Sequence, residues 1–147
     1  GNVGTVDHYE YRAVGDLVNS ANRIQIANKH FRTRILLSTD VIEGLDLFLT
    51  RPLGKVLLHG KSNPISLAEL ITFKEKAADD QIWLCEVFAK VIRAYEAQSW
   101  AQAQCNLLEI LEKFPNDGPS RFFLNRCEDY LTTPPPAWDA TTYLPGK

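Results

Sequence analysis

Two side chains near the start of the chain carry the clearest chemical possibility. Asn19 and Arg23 lie in the run Glu10–Arg23, EYRAVGDLVNSANR. Residues four apart are neighbours on a helix surface, so an amide and a guanidinium would project side by side. A guanidinium is a planar, permanently charged fork that suits phosphate. The alternative is a solvated helix face without chemistry. Arg12, seven residues before Asn19, and Lys61, in the turn Gly60-Lys61-Ser62-Asn63, are further cationic candidates. Asp7, Asp40 and Asp46 are scattered carboxylates, and Asp16 reads as a helix cap. No metal site is expected from these residues. Cys85, Cys105 and Cys127 are odd in number and fit no zinc spacing, which argues for a reducing compartment. All three fall in helical patterns and are expected to be buried thiols.

The elements that would position Asn19 and Arg23 follow from the local pattern. His8–Val14 is aromatic and β-compatible and ends at a glycine, so it reads as a strand. Gly15 makes the turn, Asp16 caps, and a helix runs from Leu17 to about His30. Leu17, Ala21, Ile24 and Phe31 fall on one stripe, with Asn19 and Arg23 nearly opposite. Thr33–Ser38 reads as a buried strand, and Ser38 as the cap of a short helix over residues 39–43 closed by Gly44. Leu47–Arg51 and Val56–His59 read as strand pieces separated by Pro52 and Gly54. Pro64–Leu70 reads as the last strand.

The remainder is helical. Residues 73–80 read as a charged connector, and Gln81–Ala97 has helical periodicity. Ser99 is the expected N-cap of a helix over Trp100–Lys113, stopped by Pro115. Asp117-Gly118-Pro119 opens a third helix to about Leu131. Thr132–Asp139 reads as a polyproline-like segment that Trp138 pins back to the body.

Composition narrows the class. The chain has 147 residues, 45% hydrophobic and 23% charged, which is ordinary for a globular protein. The net charge of −2 gives no basic field for nucleic acid. No apolar run approaches the ~18 residues of a membrane span, and no signal-peptide pattern opens the chain. Methionine is absent and the chain opens Gly1-Asn2-Val3-Gly4, so a piece of a longer protein is expected.

The pattern E-Y-x-x-x-G-D-x-V-N-x-A-x-R over Glu10–Arg23, the G-x-x-G at Gly1–Gly4 and the ending over Leu53–Leu70 resemble the second half of a class III nucleotidyl cyclase catalytic domain. The D-G-P-S helix start at Asp117–Ser120, followed by P-P-x-x-W-D at Pro134–Asp139, narrows the resemblance to bacterial adenylate cyclases with an extracytoplasmic CHASE2 sensor. The cyclase likeness covers about Gly1–Leu70, half of this chain and half of a cyclase domain. It implies formation of cyclic AMP, or cyclic GMP, from ATP or GTP with release of pyrophosphate. Asn19 would orient the ribose and Arg23 would stabilise phosphate charge in the transition state, a step dominated by positioning and electrostatics. Two aspartates of the absent first half would hold Mg²⁺ or Mn²⁺, so this chain alone is expected not to turn over nucleotide. The active site would form in a head-to-tail homodimer, on the cytoplasmic side of a membrane-anchored parent.

The chain departs from the family at two positions. The base-selecting position is Arg12, which cannot accept a hydrogen bond from the adenine amino group. Near the expected triphosphate lysine the chain has His59, before Gly60; Lys61 after the glycine could serve instead, or be an exposed turn lysine. Arg12 and Lys61 are the nucleotide-binding candidates that remain.

The expected fold is α+β. Residues 1–72 would form part of a ferredoxin-like cyclase sheet, antiparallel or mixed, with one long packing helix. Residues 73–147 would form a three-helix extension with a Pro-rich tail. The spacing Trp100, Ala103, Leu107, Ile110, Pro115 resembles half of a tetratricopeptide repeat. That extension could cover the sheet, bind a peptide, or relay a signal through dimerisation. The second functional class is a regulatory or interaction module on a cyclase-like scaffold.

Overall fold

The structure is a computed structural model and describes residues 27–33, 35–39 and 46–144. Among these residues it is α+β, a mixed four-stranded sheet with three long helices. The strands are β1 (Leu36–Ser38), β2 (Phe48–Leu57), β3 (Ile65–Phe73) and β4 (Thr142–Tyr143). The helices are α1 (Asp79–Glu96), α2 (Trp100–Lys113) and α3 (Gly118–Thr132), with a 3-10 turn at Lys74–Lys76. The sheet order is β1-β3-β2-β4; β3 is antiparallel to both β1 and β2, and β4 runs parallel to β2.

Pro52 and Gly54 do not divide β2 into separate pieces, as the sequence suggested. They sit at register shifts in one ten-residue strand, between Leu49 and Thr50 and between Pro52 and Gly54. Pro52 pairs with Ala68 and Gly54 with Leu67, so the bulge leaves Leu53 unpaired and uses the left-handed backbone of Gly54, φ +80°. β3 runs on to Phe73, beyond the expected end at Leu70, because Phe73 pairs with Phe48 and their rings stack at 4.7 Å.

The helices follow their apolar stripes. α1 buries Leu84, Cys85, Val87, Phe88, Val91, Ile92 and Tyr95. Gln81 accepts a hydrogen bond from the Ala78 N–H at its start, and Asp79 and Asp80 complement the positive end of the helix dipole. Gln98 closes α1 in a left-handed conformation, φ 61°, with the Ser99 N–H donating to the Ala94 carbonyl. Ser99 occupies the N-cap of α2, but its side chain makes no capping bond. Trp100, Ala103, Leu107 and Ile110 form the buried stripe of α2. Cys105 lies off that stripe and is exposed, contrary to the expectation that all three thiols are buried.

One apolar cluster joins sheet and helices, from Leu53, Val56 and Leu67 through Phe88 and Leu107 to Phe123. Trp138 pins the Pro-rich segment to this body. Its ring packs 4.8 Å from Trp100, 5.1 Å from Tyr95 and 5.7 Å from Tyr130, and its Nε1 donates to the Glu96 carbonyl at 2.9 Å. The chain then adds β4 to the free edge of β2, pairing Val56 with Thr142 and Leu57 with Tyr143. β4 was not anticipated from sequence; two residues carry no periodicity.

Candidate functional site

Arg12, Asn19 and Arg23 lie outside the described residues, as do the strand at 8–14, the Asp16 cap and most of the short helix at 39–43. Lys61 is exposed in the turn between β2 and β3, where its backbone N–H donates to the Leu58 carbonyl at 3.0 Å. Among the described residues, the structure brings no other nucleotide-binding candidate beside it.

Residues 27–31 are helical, where the sequence pattern places the end of the helix that begins at Leu17. Ala27 and Phe31 are fully buried, as the stripe requires of Phe31. The end is closed by the Thr33 N–H donating to the Asn28 carbonyl at 3.1 Å, around Arg32 in a left-handed conformation, φ 58°. Glycine usually takes that position. Phe31 packs tilted against Phe122 at 4.6 Å and stacks on Phe123 at 5.9 Å, both on α3. Gly118, the first residue of α3, faces the same backbone. A β-carbon there would overlap the Phe31 carbonyl oxygen and lie 2.6 Å from Arg32 Cβ.

The N-terminus of α3 is fixed from its other side by an ionic node. Arg51 of β2 is 2% exposed and Glu69 of β3 is 8% exposed. The Arg51 fork is bidentate to Asp117, Nη1 to Oδ2 at 2.7 Å and Nη2 to Oδ1 at 3.0 Å. Its Nε donates to Glu69 Oε1 at 3.1 Å, and Nη2 donates to the same oxygen. The guanidinium lies 4.8 Å from the centre of the Phe88 ring. Asp117 also caps α3, accepting from the Ser120 N–H at 3.1 Å and from the Ser120 hydroxyl. Burial pulls the Arg51 pKa down, but Asp117 and Glu69 outweigh it and the net direction is upward. Sequence reading treated Arg51 and Glu69 as ordinary strand residues. The available clue was a charge at an inward-facing strand position, with Glu69 two residues from the buried Leu67.

The other groups have limited chemical scope. A cavity of about 470 Å³ is lined by His30, Arg32, Asn116, Arg121 and Asn125, among others. Arg121 Nε is committed to the Pro115 carbonyl at 2.9 Å, and both arginines are exposed, so this is a solvated polar rim. Burial pushes the Cys85 thiol up to about 11 and the Cys127 thiol up to about 12, so neither is poised as a nucleophile. Among the described residues no group of His, Cys, Asp or Glu could hold a metal ion. Glu69 and Asp117, the carboxylates at the node, are both engaged by Arg51.

Comparison with known proteins points in one direction. Over 140 residues, the chain is 26% identical to "Adenylate cyclase, terminal-differentiation specific" of Dictyostelium discoideum, a match covering 90% of this chain and 6% of the relative. Over 72 residues it is 35% identical to "Adenylate cyclase 1" of Rhizobium meliloti (strain 1021), covering 48% of this chain and 11% of the relative. The chain is similar to adenylate cyclases. It spans only a small part of the length of either relative. No family model matches, and no solved structure matches. The first match extends over 90% of the chain, so the similarity takes in the helices as well as the sheet. No helix among the described residues is long and apolar enough to cross a membrane.

Proposed function

We propose that this chain is the C-terminal part of a class III adenylate cyclase catalytic domain, of the CHASE2 type, together with a tetratricopeptide-like helical extension. The observation that carries it is the similarity of nearly the whole chain to an adenylate cyclase, alongside the Glu10–Arg23 pattern. On this reading Asn19 orients the ribose of ATP so that its 3′-hydroxyl lies in line with the α-phosphate. Arg23 meets the charge that develops on the phosphates, where a fixed guanidinium acts by preorganised electrostatics. Lys61 and Arg12 contact the nucleotide at its periphery. On this reading the divalent ion, Mg²⁺ or Mn²⁺, is held by aspartates outside this chain. The chain then works within a head-to-tail homodimer, on the cytoplasmic side, and supplies Asn19 and Arg23 to the partner's nucleotide.

The test is cyclase activity of the longer protein that carries this chain, with Mn²⁺ and ATP or GTP, beside Arg23→Ala and Asn19→Ala. Cyclic AMP from the unmodified protein, and a loss of about 100-fold or more in each variant, supports the assignment. A protein silent with both nucleotides, or variants equal to it, would give the lead to a regulatory module on a cyclase-like scaffold.

A further inference from the structure

We propose that the outer face of α3 is a docking groove for an extended, acidic peptide segment of a partner protein. One face of α3 turns Phe123, Leu124 and Cys127 into the core. On the outer side two cavities follow one another along the helix, of about 470 and 420 Å³, and they share Phe122 and Asn125. Arg121, Phe122, Asn125, Arg126 and Asp129 recur at intervals of three and four and so line one stripe. From Gly118 to Tyr130 the lining covers about 18 Å of helix, the span of roughly six residues of extended chain. The rim is open and solvated, which suits a chain lying along the surface more than an enclosed small molecule.

Charge selects the occupant. The chain carries a net charge of −2, yet this groove gathers Arg32, Arg121 and Arg126 against a single carboxylate, Asp129. Among the described residues none of these arginines forms an ion pair. Arg126 is held by neutral partners. Its guanidinium lies 4.8 Å from the centre of the Phe122 ring, and it makes long bonds to the Tyr130 hydroxyl at 3.4 Å and the Tyr143 carbonyl at 3.5 Å. The fork is thus oriented while its charge stays unbalanced, the condition in which a carboxylate is met with little ordering cost. Arg121 is anchored through Nε to the Pro115 carbonyl at 2.9 Å, and its terminal nitrogens remain for an incoming acid. Asn116 and Asn125 also line the groove, and among the described residues their side-chain amides carry no hydrogen bond. An amide offers both a donor and an acceptor, which matches the unsatisfied backbone of an extended peptide; a helix would already have paired its own backbone groups. Phe122 and Tyr130, both half-buried, supply ring surface for an apolar side chain between the acids.

The experiment is fluorescence anisotropy with the longer protein that carries this chain, without nucleotide. The probe is a labelled peptide of about eight residues that alternates glutamate and leucine, beside the same peptide with lysine in place of glutamate. We expect saturable binding of the glutamate peptide and none of the lysine peptide. Arg121→Glu should weaken binding about 10-fold, because it places a like charge in the groove. Arg126→Lys should weaken it about 3-fold, since the charge stays and the fork is lost. Raising salt from about 0.05 to 0.5 M should weaken binding about 10-fold, as expected for exposed charges. Arg121 and Asn125 are exposed, and if Arg121→Glu does not fold, Asn125→Ala is read in its place, with a loss of about 3-fold expected. Failure of the glutamate peptide to bind, equal binding of the lysine peptide, or unchanged binding in Arg121→Glu and Asn125→Ala overturns the inference. So does binding to phosphatidylglycerol vesicles, lost in Arg121→Glu, by a protein that ignores the glutamate peptide. A dimer that Arg121→Glu dissociates in the ultracentrifuge, without peptide binding, assigns the groove to a second copy and overturns it equally.

Discussion

Replacing Arg51 by methionine tests what holds the helices to the sheet. Methionine keeps much of the aliphatic length of the side chain and removes only the fork. Glu69, 8% exposed, and Asp117 would then face each other with no cation between them. Removing one partner of a buried ionic cluster costs about 3–5 kcal/mol, because the remaining charges stay desolvated and unpaired. For a chain of this size that is a fall in Tm of roughly 10 °C. The assay is urea unfolding of the 147-residue chain, followed by far-ultraviolet circular dichroism at neutral pH. Adding Glu69→Gln to Arg51→Met should recover part of the loss, with a coupling of about 1–3 kcal/mol. An Arg51→Met variant within about 1 kcal/mol of the parent chain, or strictly additive Arg51→Met and Glu69→Gln effects, would refute the argument that the node is desolvated and mutually dependent.

Other outcomes follow from particular contacts. Trp138→Ala should cost about 2–3 kcal/mol, since the half-buried ring loses three aromatic neighbours and its bond to the Glu96 carbonyl; chemical denaturation reads the loss. In the native chain at pH 8, a maleimide should label Cys105 rapidly and leave Cys85 and Cys127 unmodified until denaturant is added, as peptide mass mapping would show. Gln98→Gly should stabilise the chain by about 0.5–1 kcal/mol by relieving a left-handed glutamine, seen as a higher Tm. Hydrogen bonds from the Thr141 N–H and the Tyr143 hydroxyl hold the Asp139 carboxyl below its usual range. Its contribution to stability is therefore complete above about pH 4 and lost as pH falls through the depressed value. Asp139→Asn should accordingly flatten the acid limb of the stability profile.

Much of the fold was legible because it rests on local rules. The burial of Phe31, the Pro115 stop, the helix start at Asp117-Gly118-Pro119 and the Trp138 anchor all depend on residues near in sequence or on side chains with a single plausible place. The continuity of β2 was not legible, because proline and glycine mark both a strand end and a bulge, and only the paired strand decides between them. Cys105 was misjudged because a helical pattern alone does not say which face a residue takes. Arg51, Glu69 and Asp117 are separated by 18 and 66 positions, so nothing local announces their meeting. Gly118 read as a simple helix start, whereas its lack of a side chain serves the close approach of Phe31 and Arg32. Of the nucleotide-binding candidates, Lys61 alone falls among the described residues. Asn19, Arg23 and Arg12 therefore rest on pattern and similarity.

The most direct test of the central claim is complementation in a mixed dimer. One full-length variant would carry Arg23→Ala, and the other would replace the aspartates proposed to hold the metal. Each should be inactive alone. If Arg23 acts across a head-to-tail dimer, mixing them should restore roughly a quarter of the parental cyclic AMP production, since half the dimers are mixed and each has one intact site. Full activity of Arg23→Ala alone, or no recovery on mixing when mixed dimers are shown to form, would contradict the account.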